Sequence, residues 1–123
     1  MRWLLPLVWA GVICYLSLMP GGDLPDFDLF HLLFIDKWVH VFLYFMFSLF
    51  LLQAWGRENS FILKSTSVLI FCTVFGFVIE ELQENYTTTR HFEWLDLFFD
   101  SIGAGVYIFI WLRRSSKDFL KKS

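Results

Sequence analysis

Residues 61–82 read FILKSTSVLIFCTVFGFVIEEL, and this stretch decides the fold class. Lys64 is its only charged residue before the two glutamates near its end, Glu80 and Glu81. A helix needs about 20 mainly apolar residues to cross a bilayer core that is about 30 Å thick. The stretch is therefore predicted to be a transmembrane helix.

Three further apolar runs, at residues 3–19, 37–55 and 94–112, are long enough, or nearly so, for the same role. The chain of 123 residues is 57% hydrophobic and 21% aromatic, with a mean hydropathy of +0.57. A soluble domain of this size could not bury so much apolar surface, because small globules bury only about two-thirds of what their chain exposes. We therefore predict an all-α fold, in which residues 1–123 form one domain with four transmembrane helices.

The first run is predicted to be a retained helix and not a cleaved signal peptide. It is longer than a typical signal-peptide core, and no Ala-x-Ala cleavage site follows it. Cys14 and Cys72 lie inside apolar runs without metal-type or disulfide spacing, so we interpret them as small hydrophobic residues.

Positive and negative charges lie at opposite ends of the predicted helices. Eight of the ten Lys and Arg residues lie at the N-terminus, around the second connection and in the tail, whereas ten of the twelve acidic residues lie at the other ends. Since cytoplasmic segments are enriched in Lys and Arg, both termini are predicted to be cytoplasmic. Tryptophans near both predicted interfaces agree with this topology. They are Trp3, Trp55 and Trp111 on the inner side and Trp38 and Trp94 on the outer side.

Residues 27–34, FDLFHLLF, are too apolar for a solvated loop and too short to span. A short interfacial or re-entrant segment in this first outer connection is one interpretation. A lid packed over the bundle is the other.

Polar side chains recur at helical spacing near the outer ends of three helices. Residues three, four or seven positions apart share one helix face. A carboxylate that faces lipid costs about 2.5–3.5 kcal/mol at mid-bilayer and less toward the ends, so these stripes are predicted to face each other or a wet cavity. The stripes are Asp36, Lys37, His40 and Tyr44 on the second helix, Glu80, Gln83 and Glu84 on the third, and Asp96, Asp100 and Gly103 on the fourth. Glu81, Glu84 and Glu93 are interpreted as facing water or headgroups.

The predicted cluster contains more acid than base. Lys37 and Arg90 oppose four carboxylates, and two negative charges remain unbalanced when His40 is neutral. We therefore expect the cluster to hold a proton, to bind a cation such as a divalent metal, or to receive a cationic ligand; a bare phosphate would need a metal ion beside it. The structural alternative is that ion pairs such as Lys37–Asp96 and Arg90–Glu80 only hold the helix ends together. The four carboxylates are Asp36, Glu80, Asp96 and Asp100.

Five stretches resemble the VanZ-like family of bacterial membrane proteins. They are Ser17-Leu-Met-Pro20, Asp36-Lys37-x-x-His40-x-x-x-Tyr44, Glu80-x-x-Gln83, Arg90 and Asp96-x-x-x-Asp100-x-x-Gly103. The family commonly has Asn where this chain has Asp100. The resemblance implies a protein of the bacterial cell membrane that acts in the envelope, and the family takes its name from a protein associated with resistance to teicoplanin, an acyl-bearing glycopeptide.

Three functions remain open. In the first, an outward-facing pocket binds a lipid-linked cell-wall intermediate or a lipoglycopeptide. In the second, a membrane-embedded enzyme acts on a lipid-linked substrate, with His40, Glu80, Asp96 and Asp100 as candidate catalytic or metal-binding residues. In the third, the chain is a structural subunit. The predicted partners are the bilayer and such a ligand, and nucleic acid is not among them. The candidate binding residues are Asp36, Lys37, His40, Tyr44, Glu80, Gln83, Arg90, Asp96 and Asp100.

Overall fold

The structure, a computed structural model, describes residues 1–19, 29–56, 60–87 and 91–123, with the side chains of residues 29–34 left out of the description. These residues form four α-helices and confirm the all-α fold class. The helices are α1 (Leu4–Leu18), α2 (Leu29–Trp55), α3 (Phe61–Tyr86) and α4 (Trp94–Lys122).

Three of the four helices are long and apolar enough to cross a membrane. They comprise α3, α4 and the Ile35–Trp55 part of α2. At a rise of 1.5 Å per residue, the 21 residues of Ile35–Trp55 extend about 31 Å, which matches a bilayer core. The 15 residues of α1 extend only about 22 Å, so α1 is a shorter apolar helix.

Three helices extend beyond the predicted apolar runs. α2 begins at Leu29 instead of residue 37, α3 continues to Tyr86 instead of ending at residue 82, and α4 continues to Lys122 instead of ending at residue 112. None of these extensions contains Gly or Pro, so charged and polar side chains end the apolar run without ending the helix. Residues 29–34 of the predicted interfacial segment thus have helical backbone continuous with α2, whereas Phe27 and Asp28 lie outside the described residues.

The helices alternate in direction and pack around α2 and α3. α2 contacts α1, α3 and α4, and α3 likewise contacts the other three helices. The indole Nε1 of Trp9 donates to the Leu43 carbonyl oxygen at 2.9 Å and joins α1 to α2. The Gln83 side-chain amide donates to the Ser17 carbonyl oxygen at 2.7 Å and joins α3 to α1. The C-terminal ends of α1 and α3 thus lie beside the N-terminal half of α2 and the start of α4.

Gly103 allows the backbones of α2 and α4 to touch. A Cβ at this position would overlap the carbonyl oxygen of Val41 and would lie 2.9 Å from the Val41 carbonyl carbon. Small residues at a helix crossing permit such an approach. The contact brings the polar face of α2 directly against the first turns of α4.

The helices expose many large apolar side chains, and the interior holds charged groups beside an apolar core. Leu5, Phe42, Leu63 and Phe98, one from each helix, are all at least half exposed. Glu80 and Asp100, in contrast, are fully buried. Such exposed apolar side chains around buried charge differ from the usual pattern of a water-soluble globule, where ionised side chains almost never lie fully buried unless they are paired.

Candidate functional site

Six charged or titratable side chains from three helices, together with Glu93 directly before α4, meet in one region of the fold. They come from residues 36–40 of α2, from the last two turns of α3 and from the first two turns of α4. We call this group the charged cluster; it comprises Asp36, Lys37, His40, Glu80, Glu93, Asp96 and Asp100.

Lys37 joins α2 to the start of α4. Its ammonium group donates to Asp96 Oδ1 and, at 2.7 Å, to Glu93 Oε2. The Lys37 and Asp96 side chains are only 12% and 9% exposed, so this ion pair lies largely away from solvent. The predicted Lys37–Asp96 pair is confirmed. Arg90, and with it the predicted Arg90–Glu80 pair, lies outside the described residues.

The imidazole ring of His40 lies between two sets of carboxylates. Its Nδ1 is 2.7 Å from Asp100 Oδ1, which is a hydrogen-bond distance. Its Nε2 faces the other way, 3.7 Å from Asp96 Oδ2 and 3.9 Å from Asp36 Oδ1. The spacing of Asp36 and His40 on α2, and of Asp96 and Asp100 on α4, places these four residues together as the sequence predicts.

Glu80 brings a fully buried carboxyl group from α3 into the charged cluster. Its Oε2 accepts a hydrogen bond from the Glu93 backbone N–H at 3.2 Å. Its Oε1 is buried without a hydrogen-bond partner among the described residues. A buried polar atom without a protein partner is uncommon in folded proteins, and Oε1 is therefore available to bind an ion, a water molecule or a proton.

Tyr44 lies in the core beside this group. Its ring packs against those of Phe47 and Phe75 and is almost fully buried, so Tyr44 is a packing residue of the core. Within the described part of the chain, its hydroxyl group also lacks a hydrogen-bond partner. Gln83, another predicted binding residue, is occupied by its bond to the Ser17 carbonyl and serves to hold α1.

Two residues of the site were not singled out from the sequence as parts of it. The first is Glu93, which pairs with Lys37 even though its side chain is 46% exposed. Glu81 and Glu84, in contrast, are exposed as predicted. The position of Glu93 three residues before Asp96, on the same face of the chain entering α4, is the signal that could have found it. Gly76 is the second residue, because a Cβ there would lie 2.9 Å from Asp100 Oδ2 and 3.4 Å from the Tyr44 hydroxyl oxygen.

His40 belongs to two groups of three residues whose geometry could hold a metal ion. One group is Asp36, His40 and Asp96, and the other is His40, Glu80 and Asp100. Within each group, one ligand atom from every residue lies within 4.8 Å of the other two. Chemically, the charged cluster can hold a cation, or it can exchange a proton between the imidazole ring and an adjacent carboxylate.

No family model, curated protein or solved structure matches this chain. The resemblance to the VanZ-like family therefore stays a prediction that depends on the five stretches quoted above.

Proposed function

We propose that the chain is a multi-pass protein of the bacterial cell membrane with both termini in the cytoplasm. The apolar exterior supports insertion into lipid, since exposed apolar area of this extent would drive association in water. Arg113, Arg114 and Lys117 lie at the opposite end of α4 from Asp96 and Asp100. This asymmetry supports an outward-facing charged cluster. In this arrangement α1 is a fourth, short span.

The orientation can be tested with single cysteines in a Cys14→Ala, Cys72→Ala background. We expect a membrane-impermeant maleimide to label His91→Cys in spheroplasts, because residue 91 is exposed near the charged cluster. Ser123→Cys, at the end of α4, should be labelled only after the membrane is permeabilised. Labelling of Ser123→Cys in intact spheroplasts would contradict the proposed orientation.

We further propose that the charged cluster binds the headgroup of a lipid-linked or acyl-bearing envelope ligand and thereby modulates glycopeptide susceptibility. The observation that carries this proposal is the burial of charged side chains from three apolar helices in one group. Packing alone could be achieved with small and apolar residues, and charged groups within membrane spans generally serve a function. Asp36, whose side chain is 39% exposed, offers a route from solvent to the buried members.

A binding experiment tests this function. Purified protein in lipid nanodiscs should bind teicoplanin or a lipid-linked cell-wall intermediate saturably, and Asp36→Asn should weaken that binding at least about tenfold, which corresponds to about 1.4 kcal/mol. Glu84→Gln is the matched control, because Glu84 is an exposed carboxylate at the same end of the fold. A glycopeptide without an acyl chain should bind more weakly. Equal binding by the Asp36→Asn and parent proteins would argue against the proposal.

The second candidate function is a membrane-embedded enzyme that acts on a lipid-linked substrate. The contact between His40 Nδ1 and Asp100 Oδ1 favours it, because a carboxylate that orients an imidazole is a common arrangement for a general base. Glu80 and Asp96 would then act as acid or base partners. Turnover of the bound lipid, lost in His40→Gln while binding is retained, distinguishes the enzyme from the binding protein.

A further inference from the structure

We propose that His40, Glu80 and Asp100 form a binding site for a divalent transition-metal ion of the Zn²⁺ class. The role of the ion in holding an envelope ligand rests on the proposed function. Binding of the metal itself does not, because it requires no envelope ligand. Each ligand comes from a different helix: His40 from α2, Glu80 from α3 and Asp100 from α4.

The distances and burial fit such an ion. One ligand atom from each residue lies within 4.8 Å of the other two. The three residues are 5%, 0% and 1% exposed, so the site lies inside the protein. Neighbouring ligand atoms around a tetrahedral Zn²⁺ are about 3.4 Å apart, given metal–ligand bonds of about 2.0–2.2 Å. Small side-chain rotations would bring these three atoms to that spacing.

Two buried oxygen atoms beside the proposed site have no protein hydrogen-bond partner among the described residues. Glu80 Oε1 is buried and has no hydrogen-bond partner among the described residues, although Oε2 of the same carboxylate does. The nearby Tyr44 hydroxyl group is also buried without a hydrogen-bond partner in the described part of the chain. A Cβ at Gly76 would lie 2.9 Å from Asp100 Oδ2 and 3.4 Å from the Tyr44 hydroxyl oxygen, so the lack of a side chain at Gly76 leaves room for these two oxygen atoms. An ion bound by Glu80 Oε1 would provide that atom with the partner that the protein does not supply.

The charges also match a divalent cation. Lys37 is occupied by Asp96 and Glu93. Within the described residues, Glu80 makes no ion pair, and the ion pairing of Asp100 is confined to His40. A neutral His40 with two ionised carboxylates carries a charge of −2, which a single divalent ion balances. Buried carboxylates are stable only when they are paired, coordinated or protonated.

The surroundings of His40 determine which of its ring nitrogens binds the ion, and the types of ligand determine the class of metal. Nε2 faces Asp96 and Asp36, so a proton on Nε2 is stabilised there, and the unprotonated Nδ1, which lies 2.7 Å from Asp100 Oδ1, can bind the ion together with that oxygen. Carboxylates behind a metal-bound histidine commonly act in this way. Mg²⁺ and Ca²⁺ prefer oxygen ligands, whereas imidazole suits Zn²⁺ and its neighbours. Three protein ligands leave one position open, at which the phosphate oxygen of a lipid headgroup could bind.

Metal titration of the full chain tests this site. The protein is purified without a histidine tag in a His31→Gln, His91→Gln background, so that His40 is the only histidine. After treatment with a chelator, it is titrated with Zn²⁺, and the bound metal is measured by calorimetry and elemental analysis. We expect about one Zn²⁺ per chain and much weaker binding of Mg²⁺.

Glu80→Gln should weaken Zn²⁺ binding at least about tenfold, while its remaining oxygen still accepts the Glu93 backbone N–H. Glu81→Gln is the matched control, because Glu81 is the adjacent but exposed carboxylate on the same helix. Asp100→Asn should weaken Zn²⁺ binding to the same extent. This variant provides the test if the Glu80→Gln protein does not fold. Zn²⁺ binding that is absent, or that is equal in the parent, Glu80→Gln and Asp100→Asn proteins, would overturn the metal site.

The metal site and the envelope ligand can fail separately. Saturable ligand binding by chelator-treated protein that takes up no Zn²⁺ would overturn the metal site and leave the proposed function standing. Stoichiometric Zn²⁺ binding without binding of either envelope ligand would support the metal site and count against the proposed function.

Discussion

Replacing Lys37 with methionine is expected to destabilise the protein by about 3–5 kcal/mol, the range found when one member of a buried ion pair is removed. The Lys37 ammonium contacts Asp96 and Glu93, and Asp96 is nearly buried. Methionine keeps much of the length of the lysine side chain but leaves the Asp96 carboxylate without its cation. Unfolding in mixed micelles with increasing SDS, followed by far-ultraviolet circular dichroism, measures the change.

Two further variants show whether this loss comes from the ion pair. Lys117→Met removes a lysine from the exposed tail of α4 and should leave the free energy of unfolding nearly unchanged. Asp96→Asn in the Lys37→Met background removes the stranded charge and should recover part of the lost stability. The explanation fails if Lys37→Met and Lys117→Met unfold at the same SDS concentration.

Replacing Gly103 with alanine is expected to lower the free energy of unfolding by about 3 kcal/mol. The new methyl group would overlap the Val41 carbonyl oxygen, and a backbone atom cannot rotate away as a flexible side chain can. The greater helix propensity of alanine would contribute about 1 kcal/mol in the opposite direction. The steric term therefore decides the sign, and α2 and α4 must separate. The same SDS unfolding experiment measures the loss.

Gly105→Ala is the matched control for this substitution. The same methyl group on the same helix, two residues further on, would meet nothing within 4 Å. Gly105→Ala should therefore be neutral or slightly stabilising. Equal stability of the Gly103→Ala and Gly105→Ala proteins would show that the α2–α4 contact tolerates a side chain and that its closeness does not hold the charged cluster together.

The helices and most of the charged cluster could be predicted from the sequence because both depend on local periodicity. Asp36 and His40 share one face of α2, and Asp96 and Asp100 share one face of α4, so burying either face brings both of its residues inward. The Lys37–Asp96 pair followed from opposite charges at the same depth. These predictions required only helix geometry and the high free energy of an unpaired charge away from water.

The remaining features depend on contacts that no local pattern encodes. The hydrogen bond from Gln83 to the Ser17 carbonyl joins residues 66 positions apart and involves a backbone atom. The early start of α2 was missed because hydropathy measures the length of an apolar run, whereas Gly, Pro and caps determine where a helix ends. The role of Gly76 depends on what lies opposite it, and one helix alone does not reveal that.

The long sequence separations within the charged cluster determine the order in which the helices come together during synthesis. Lys37 bonds to a residue 59 positions later, and His40 bonds to one 60 positions later. When α2 leaves the ribosome, its partners on α4 have not yet been translated. Residues 36–40 of α2 must then remain hydrated, or be held by the insertion machinery, until α4 arrives. Docking of α4 is accordingly the step that completes the folded protein, and chains truncated before residue 96 should be recognised by quality-control proteases.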